Sequence, residues 1–203
     1  MGELNLLELN KSAVKKTGGL QISTTGKLLV GITGGIALGL SAICAPFISP
    51  ALRRFCLPYI PATNEQIANV LKALKGHKGT VLDLGSGDGR IVIEAAKNKF
   101  VSHGVELNPW LVLYSKFDAF KQGLSSNAQF QRQDLWKCDV SKYDNIVIFG
   151  VEQMMADLEK KFQKECKTNC NVIACRFPLP NLIPETTIGN GIDKVWVYNF
   201  QPS

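Results

Sequence analysis

The stretch VLDLGSGDGR, residues 81–90, sets three glycines within five positions directly behind an apolar run that ends in an aspartate. Glycine loses more conformational freedom on folding than any other residue. A cluster of glycines is therefore expected where the backbone must take left-handed angles or approach a ligand closely. An apolar run followed by such a turn reads as a strand entering a loop at the carboxyl edge of a parallel α/β sheet, where ligands bind.

The surrounding chain fits that sheet. Candidate strands lie at 80–84, 101–107, 128–133, 145–150, 171–177 and 194–200, with helices expected between the first five. Upstream, PATNEQIANVLKAL offers Thr63 as a helix N-cap and Gln66 as its capping-box partner. Ile67, Val70, Leu71 and Leu74 then share one helical face. After the second strand, NPWLVLYSKFDAFKQG has Asn108 as N-cap, Pro109 at the first helical position and Gly123 as the stop. Its stripe of Trp110, Leu113, Tyr114 and Phe117 reads as core-facing, as do Met154, Met155, Leu158 and Phe162 of a later helix. Strands joined by helices make a parallel sheet with right-handed crossovers. The short remainder after Phe177 leaves room for a terminal hairpin ending in KVWVYNF.

The glycine spacing narrows the ligand. It is DxGxGxG and not the GxGxxG of a dinucleotide site, and Asp83 at the strand end would repel a pyrophosphate and attract a cation. Glu106 ends the second strand, where doubly wound folds present an acid to ribose hydroxyls. Asp134 follows the third strand with Trp136 beside it, a pair able to frame an adenine. A ribose, an adenine and a positive ammonium or sulfonium together describe S-adenosyl-L-methionine.

Composition excludes other chemistries. The net charge of +6 is spread among carboxylates, and the densest cluster reads as a solvated helix face: Lys160, Lys161, Lys164 and Lys167 with Glu159 and Glu165. No nucleic-acid partner is expected. The cysteines at 44, 56, 138, 166, 170 and 175 form no CxxC pair, and His77 and His103 are the only histidines, so reduced thiols and no metal site are expected.

The N-terminal region has a different character. Residues 28–52 carry no charge, and about 20 apolar residues span a bilayer as a helix. Gly31, Gly35 and Gly39 recur at four-residue steps, a smooth stripe suited to helix packing in lipid. The preceding residues hold Lys11, Lys15, Lys16 and Lys27 but also Glu3 and Glu8, which suits an uncleaved anchor better than a transit peptide. Arg53 and Arg54 place positive charge on the other flank and leave topology open. Three segments follow: polar residues 1–27, a transmembrane or membrane-anchor segment 28–52, and a catalytic domain 53–203.

On VLDLGSGDGR, VELNP and QRQDLW, residues 59–203 resemble the seven-strand class of S-adenosylmethionine-dependent methyltransferases. That resemblance implies an α/β fold, a Rossmann-like seven-strand sheet with helices on both faces, here preceded by a membrane-associating helix. The uncharged segment, PATNEQI, ELNPWLVLYSK, IVIFGVEQMM and VIACRFPLP are similar to the small mitochondrial protein-lysine methyltransferases that modify the ATP synthase c subunit and the adenine nucleotide translocase, the ATP synthase branch being nearer. By this resemblance Asp83, Gly85, Gly87 and Glu106 bind the cofactor and Asp134 contacts its adenine. Thr63 either lines the same pocket or only caps its helix. The resemblance also implies a membrane-embedded protein substrate and the mitochondrial inner membrane, with the catalytic domain facing the matrix or cristae surface.

After the fourth strand, FGVEQMM lacks the Asn or Asp followed by two prolines that many amino-methyltransferases carry. Glu152 is the candidate group near the acceptor amine, and equally an acid stabilised at a helix start. Methylation of a lipid or quinone, and a non-catalytic membrane assembly factor, remain as other function classes.

Overall fold

In TVLDL every residue after Thr80 is buried, which is how a central parallel strand reads when helices cover both its faces. A computed structural model describes residues 23–48 and 59–201. Lys11, Lys15, Lys16, Glu3, Glu8, Arg53, Arg54 and Cys56 lie outside the described residues.

The strands are β1 (Thr80–Leu84), β2 (Val101–Glu106), β3 (Ala128–Arg132), β4 (Asn145–Phe149), β5 (Cys170–Cys175), β6 (Thr186–Ile188) and β7 (Val195–Phe200). They form one seven-stranded sheet in the order β3-β2-β1-β4-β5-β7-β6. The first five are parallel, while β7 runs antiparallel to both β5 and β6, closing the expected terminal hairpin. Buried asparagines help set the register at the amino edge. Asn171 donates to the Asn145 side chain at 3.1 Å, and Asn145 donates to the carbonyls of Lys78 and Thr80 at 3.1 and 3.2 Å.

Among the described residues the helices are α1 (Thr24–Ile48), α2 (Asn64–Leu74), α3 (Arg90–Lys97), α4 (Pro109–Lys121) and α5 (Glu152–Glu165). Strand alternation sorts the core into two layers. Leu82, Leu84, Ile146, Ile148, Val172 and Ala174 meet Met154, Met155, Leu158 and Phe162 of α5 on one face. Val81, Val147 and Ile173 meet Val70 and Leu74 of α2 and Ile91 of α3 on the other. In α1, taken by itself, no described side chain of the 22-residue apolar span Thr24–Ala45 is buried. Its Thr33 hydroxyl donates to the Leu29 carbonyl at 2.8 Å, so this polar group is satisfied inside the helix.

Several expectations need correction. Between β3 and β4 the described residues hold only a 3₁₀ turn, Leu135–Lys137, in place of a helix. Polar Gln66 and Asn69 are buried on α2 while Ile67 and Leu71 are only half-buried, because Gln66 and Asn69 donate to the carbonyls of Ile192 and Asp193 at 3.2 and 3.0 Å. Within the lysine cluster, Glu159 and Lys161 turn inward. Glu159 accepts from the Asn181 amide at 2.9 Å, and Lys161 pairs with Glu165 at 2.6 Å.

The largest reversal is on α4. Val112, Ser115 and Ala119 face the sheet, while Trp110, Leu113, Tyr114, Phe117 and Phe120 are exposed. Small side chains win the inner face because the helix lies close to the glycine turn. The Ser115 hydroxyl donates to the Leu111 carbonyl at 2.8 Å and to that of Gly87 at 3.3 Å, and a Cβ at Gly89 would meet the Ser115 Cβ at 2.8 Å. Truncating a fully buried core ring, Phe162→Ala, should lower the unfolding free energy by ~3–5 kcal/mol. Truncating the exposed Phe117 should change it by less than ~0.5 kcal/mol; urea unfolding of both variants checks the pair.

Candidate active site

The carboxyl edges of β3, β2, β1 and β4 lie side by side, so Asp134, Glu106, Asp83 and the start of α5 follow one another along one rim of the sheet. The strand order reverses between β1 and β4, and such switch points open a crevice for ligands.

The glycine turn leaves β1 with Gly85, Gly87 and Gly89 at φ of 81°, 55° and 83°, the left-handed region that other residues enter only with strain. The amides of Gly85 and Ser86 donate to the Val105 carbonyl at 2.8 and 3.0 Å, which ties the turn to β2. Gly104 of β2 makes room beneath it, since a Cβ there would meet the Ser86 hydroxyl at 2.6 Å.

Asp83 is buried, and one of its carboxylate oxygens has no hydrogen-bond partner. Burial, reinforced by the charges of Glu106 and Asp88, pushes its pKa up to about 8. The Ser86 hydroxyl is likewise buried and unpartnered.

Glu106 holds the next position. One of its oxygens accepts from the amides of Leu107 and Asn108 at 2.8 and 2.7 Å, and the other accepts from the Gly87 amide at 3.2 Å. A carboxylate offers about four acceptor sites, so about one remains on the oxygen that faces the turn. Asn108 then caps α4, accepting from the Trp110 amide at 3.0 Å, as its position predicts.

Asp134 is half-buried after β3 and accepts from the Trp136 amide at 3.1 Å through one oxygen. Thr63 takes the capping role: its hydroxyl accepts from the Gln66 amide at 3.0 Å and donates to the Asp193 carboxylate at 2.5 Å. Glu152 is exposed at the first turn of α5, beyond the end of β4. The structure thus brings Asp83, Gly85, Gly87 and Glu106 into one cluster and sets Asp134 just beyond the end of the adjoining strand β3. Thr63 is tied to the C-terminal segment, and Glu152 stands on the other side of the switch point.

Some residues of the rim were not anticipated. Arg90 grips the Asp88 carboxylate, with Nε 3.0 Å from both oxygens, and also donates to the Ala62 carbonyl at 2.6 Å. Tyr59 lies against Gly87, whose Cβ would meet the ring at 2.9 Å. Burial and the Asp88 carboxylate push the Tyr59 phenol up to about 12. Burial opposes ionisation at Asp88, but Arg90 and Tyr59 outweigh it and hold its pKa below the usual carboxylate value. Segment 59–63 is thereby riveted to the turn. The sequence signal was the acid–base pair in GDGR. Beyond β5, Arg176 takes a left-handed φ of 71° and lies over the Phe149 ring at 5.0 Å. Such a backbone costs about 1–3 kcal/mol and tends to mark functional sites.

Comparison with known proteins decides the family. The ANTKMT methyltransferase domain matches residues 83–186, and the ATP synthase subunit-C lysine N-methyltransferase N-terminal domain matches residues 22–53. The ATP synthase subunit-C lysine N-methyltransferase of Xenopus laevis is 55% identical over 160 residues, covering 79% of this chain and 71% of that protein. The chain belongs to the family of lysine N-methyltransferases named for the ATP synthase c subunit and the adenine nucleotide translocase. The adenine nucleotide translocase lysine N-methyltransferase of Mus musculus is 39% identical over 166 residues, covering 79% of this chain and 72% of its own. An RNA methyltransferase from Salinibacter ruber, solved with S-adenosyl-L-homocysteine, shares the fold at a TM-score of 0.67. It is 24% identical and covers 71% of this chain and 95% of its own.

As a member of this family the chain is a lysine N-methyltransferase that takes its methyl group from S-adenosyl-L-methionine. The residues present fit that cofactor. A buried carboxylate without a partner calls for a cation, the glycine turn admits close approach, and Glu106 keeps an acceptor for a hydroxyl.

The raised pKa of Asp83 has a definite sign. Its folded value of about 8 exceeds the ordinary 3.8, so folding without a ligand takes up a proton between those values, and the ligand-free protein loses stability as pH rises through that window. A cationic ligand requires the ionised form, so its binding expels the proton below about pH 8 and tightens as pH rises toward that value. Calorimetry in buffers of different ionisation enthalpy should show this release at pH 7 for the native chain. It should be absent in Asp83→Asn beyond what the ligand's own amino group contributes.

Proposed function

We propose that this chain methylates the ε-amino group of a lysine in a mitochondrial inner-membrane protein, with the ATP synthase c subunit as the favoured substrate. The observation that carries this reading is the buried, unpartnered Asp83 beneath the glycine turn and beside Glu106, in a chain 55% identical to a protein named for that substrate.

S-adenosyl-L-methionine, when bound, supplies a methyl group made electrophilic by its sulfonium. Asp83 would face the cofactor's positive end, Glu106 would offer its remaining acceptor to a ribose hydroxyl, and Asp134 would accept from the adenine. The main chain at Gly85 and Gly87 lets the cofactor lie close. Alignment of the acceptor nitrogen with the methyl group supplies much of the rate.

The acceptor enters from the β4 and β5 side of the crevice. A lysine has a pKa of ~10.4 in water, and its ammonium has no lone pair with which to attack. Glu152 orients the incoming ammonium and accepts its proton. Arg176, held over Phe149, places a positive charge on the same rim and favours the neutral amine.

The helix α1 anchors the enzyme in the bilayer of its substrate, with the domain on the matrix or cristae side. Its 22-residue apolar span and the match of residues 22–53 to the family's N-terminal domain support this. A catalytic domain tethered to a membrane meets a lysine at the end of a transmembrane helix at high effective concentration.

Methyl-labelled cofactor, the purified chain and mitochondrial membranes lacking the enzyme test the proposal. Label should enter one small membrane protein, on a lysine. Asp83→Ala should lower cofactor affinity about 10- to 100-fold, the loss of one charge-assisted contact, and suppress labelling. Label in the lipid extract alone would instead establish a lipid or quinone methyltransferase, and none in either fraction an assembly factor. Glu152→Gln should reduce kcat at least ~100-fold, as loss of a general base does, with cofactor affinity unchanged. An unchanged kcat would leave Glu152 as a helix-start acid only.

A further inference from the structure

The helix α4 is apolar on two opposite faces. Val112, Ser115 and Ala119 fill the sheet side. Trp110, Leu113, Tyr114, Phe117 and Phe120, spaced i, i+3, i+4, i+7 and i+10, form a second stripe about 120° wide at 100° per residue. These five side chains are 39% to 73% exposed. With ~150–250 Å² per aromatic ring, the stripe presents on the order of 500 Å² of mostly apolar surface. That is the size of the largest apolar patch on a typical soluble monomer, ~300–600 Å², a patch that is often functional.

We propose that this outer face of α4 inserts into the interfacial layer of an anionic lipid bilayer, so that the catalytic domain rides on the membrane surface. The inference rests on the anchoring role of α1 proposed above and goes beyond it, since a tether alone leaves the domain free to tumble.

The chemistry of the stripe fits lipid better than protein. Trp110 and Tyr114 are the side chains that settle at the headgroup boundary, Phe117, Phe120 and Leu113 reach the acyl chains, and Lys116 and Lys121 can meet lipid phosphates. A second copy of the chain fits less well, because a stable interface buries about 800 Å² per partner. Chain length adds a further argument. Only residues 49–58 separate the end of α1 from Tyr59, a reach of at most ~40 Å, so a bilayer holding α1 stays available to the domain.

The docking has a functional geometry. α4 begins three residues after Glu106, and its inner face touches the glycine turn through Ser115. A helix lying on the bilayer would hold the cofactor loop about one helix diameter, ~10–12 Å, from the headgroups. A lysine at the end of a membrane helix emerges at that level.

The full chain carries three tryptophans, at 110, 136 and 196. It should be reconstituted in vesicles of phosphatidylcholine and phosphatidylglycerol whose acyl chains are brominated near the headgroup. Emission should be quenched relative to unbrominated vesicles, and Trp110→Phe should remove the quenching. The double variant Phe117→Ser with Phe120→Ser should also lose it and keep native cofactor affinity. This variant should methylate vesicle-held substrate about tenfold more slowly while treating detergent-dispersed substrate normally.

A chain that resists carbonate extraction yet shows no quenching of Trp110 overturns the docking and leaves the anchor standing. Quenching in a chain that carbonate extracts supports the docking and sinks the anchor. A chain that neither floats with the vesicles nor is quenched overturns both.

Discussion

The close approach of the glycine turn to its neighbours governs everything else in the domain. Gly85, Gly87 and Gly89 take left-handed angles, and their amides and carbonyls bond to β2 and α4. That contact sets where Glu106 meets the turn, why α4 turns small residues inward, and why Tyr59 and Ala62 can be riveted on from outside. A methyl group added at Gly89 or Gly104 would collide with Ser115, Phe130 or Ser86, so the packing of one whole face depends on missing side chains.

Charge is arranged around that contact in an unbalanced way. Asp83, Asp88 and Glu106 crowd a single turn, yet Arg90 neutralises only Asp88, and Asp83 is left buried without a partner. Burial of an uncompensated carboxylate opposes folding. The same imbalance makes the site selective for a ligand that brings its own positive charge, which a preformed ion pair would abolish.

The molecule also has two kinds of apolar surface. Sheet, α2, α3 and α5 bury theirs against one another, in layers set by strand alternation. α1 and the outer stripe of α4 leave theirs outside. Apolar surface left exposed is available to something outside the domain, which the buried layers are not.

The sequence by itself determined every strand but the short β6 at the sheet edge, the glycine turn, the caps at Thr63 and Asn108, and the strand-end acids Asp83, Glu106 and Asp134. Each is a local matter of alternation, spacing or backbone angle. It also marked α1 through uncharged length alone. Only the tertiary structure decided which side of α4 faces inward, because helical spacing shows a stripe but not the partner it packs on, and small residues won by proximity to the turn. Only packing could show that Gln66 and Asn69 are buried, since their satisfaction comes from carbonyls more than a hundred residues away. The rivet of Arg90 on Asp88 and Ala62 and the pKa of Asp83 likewise depend on groups that meet only when the sheet forms. Burial and charge at a point are properties of assembled chain, which a linear pattern does not contain.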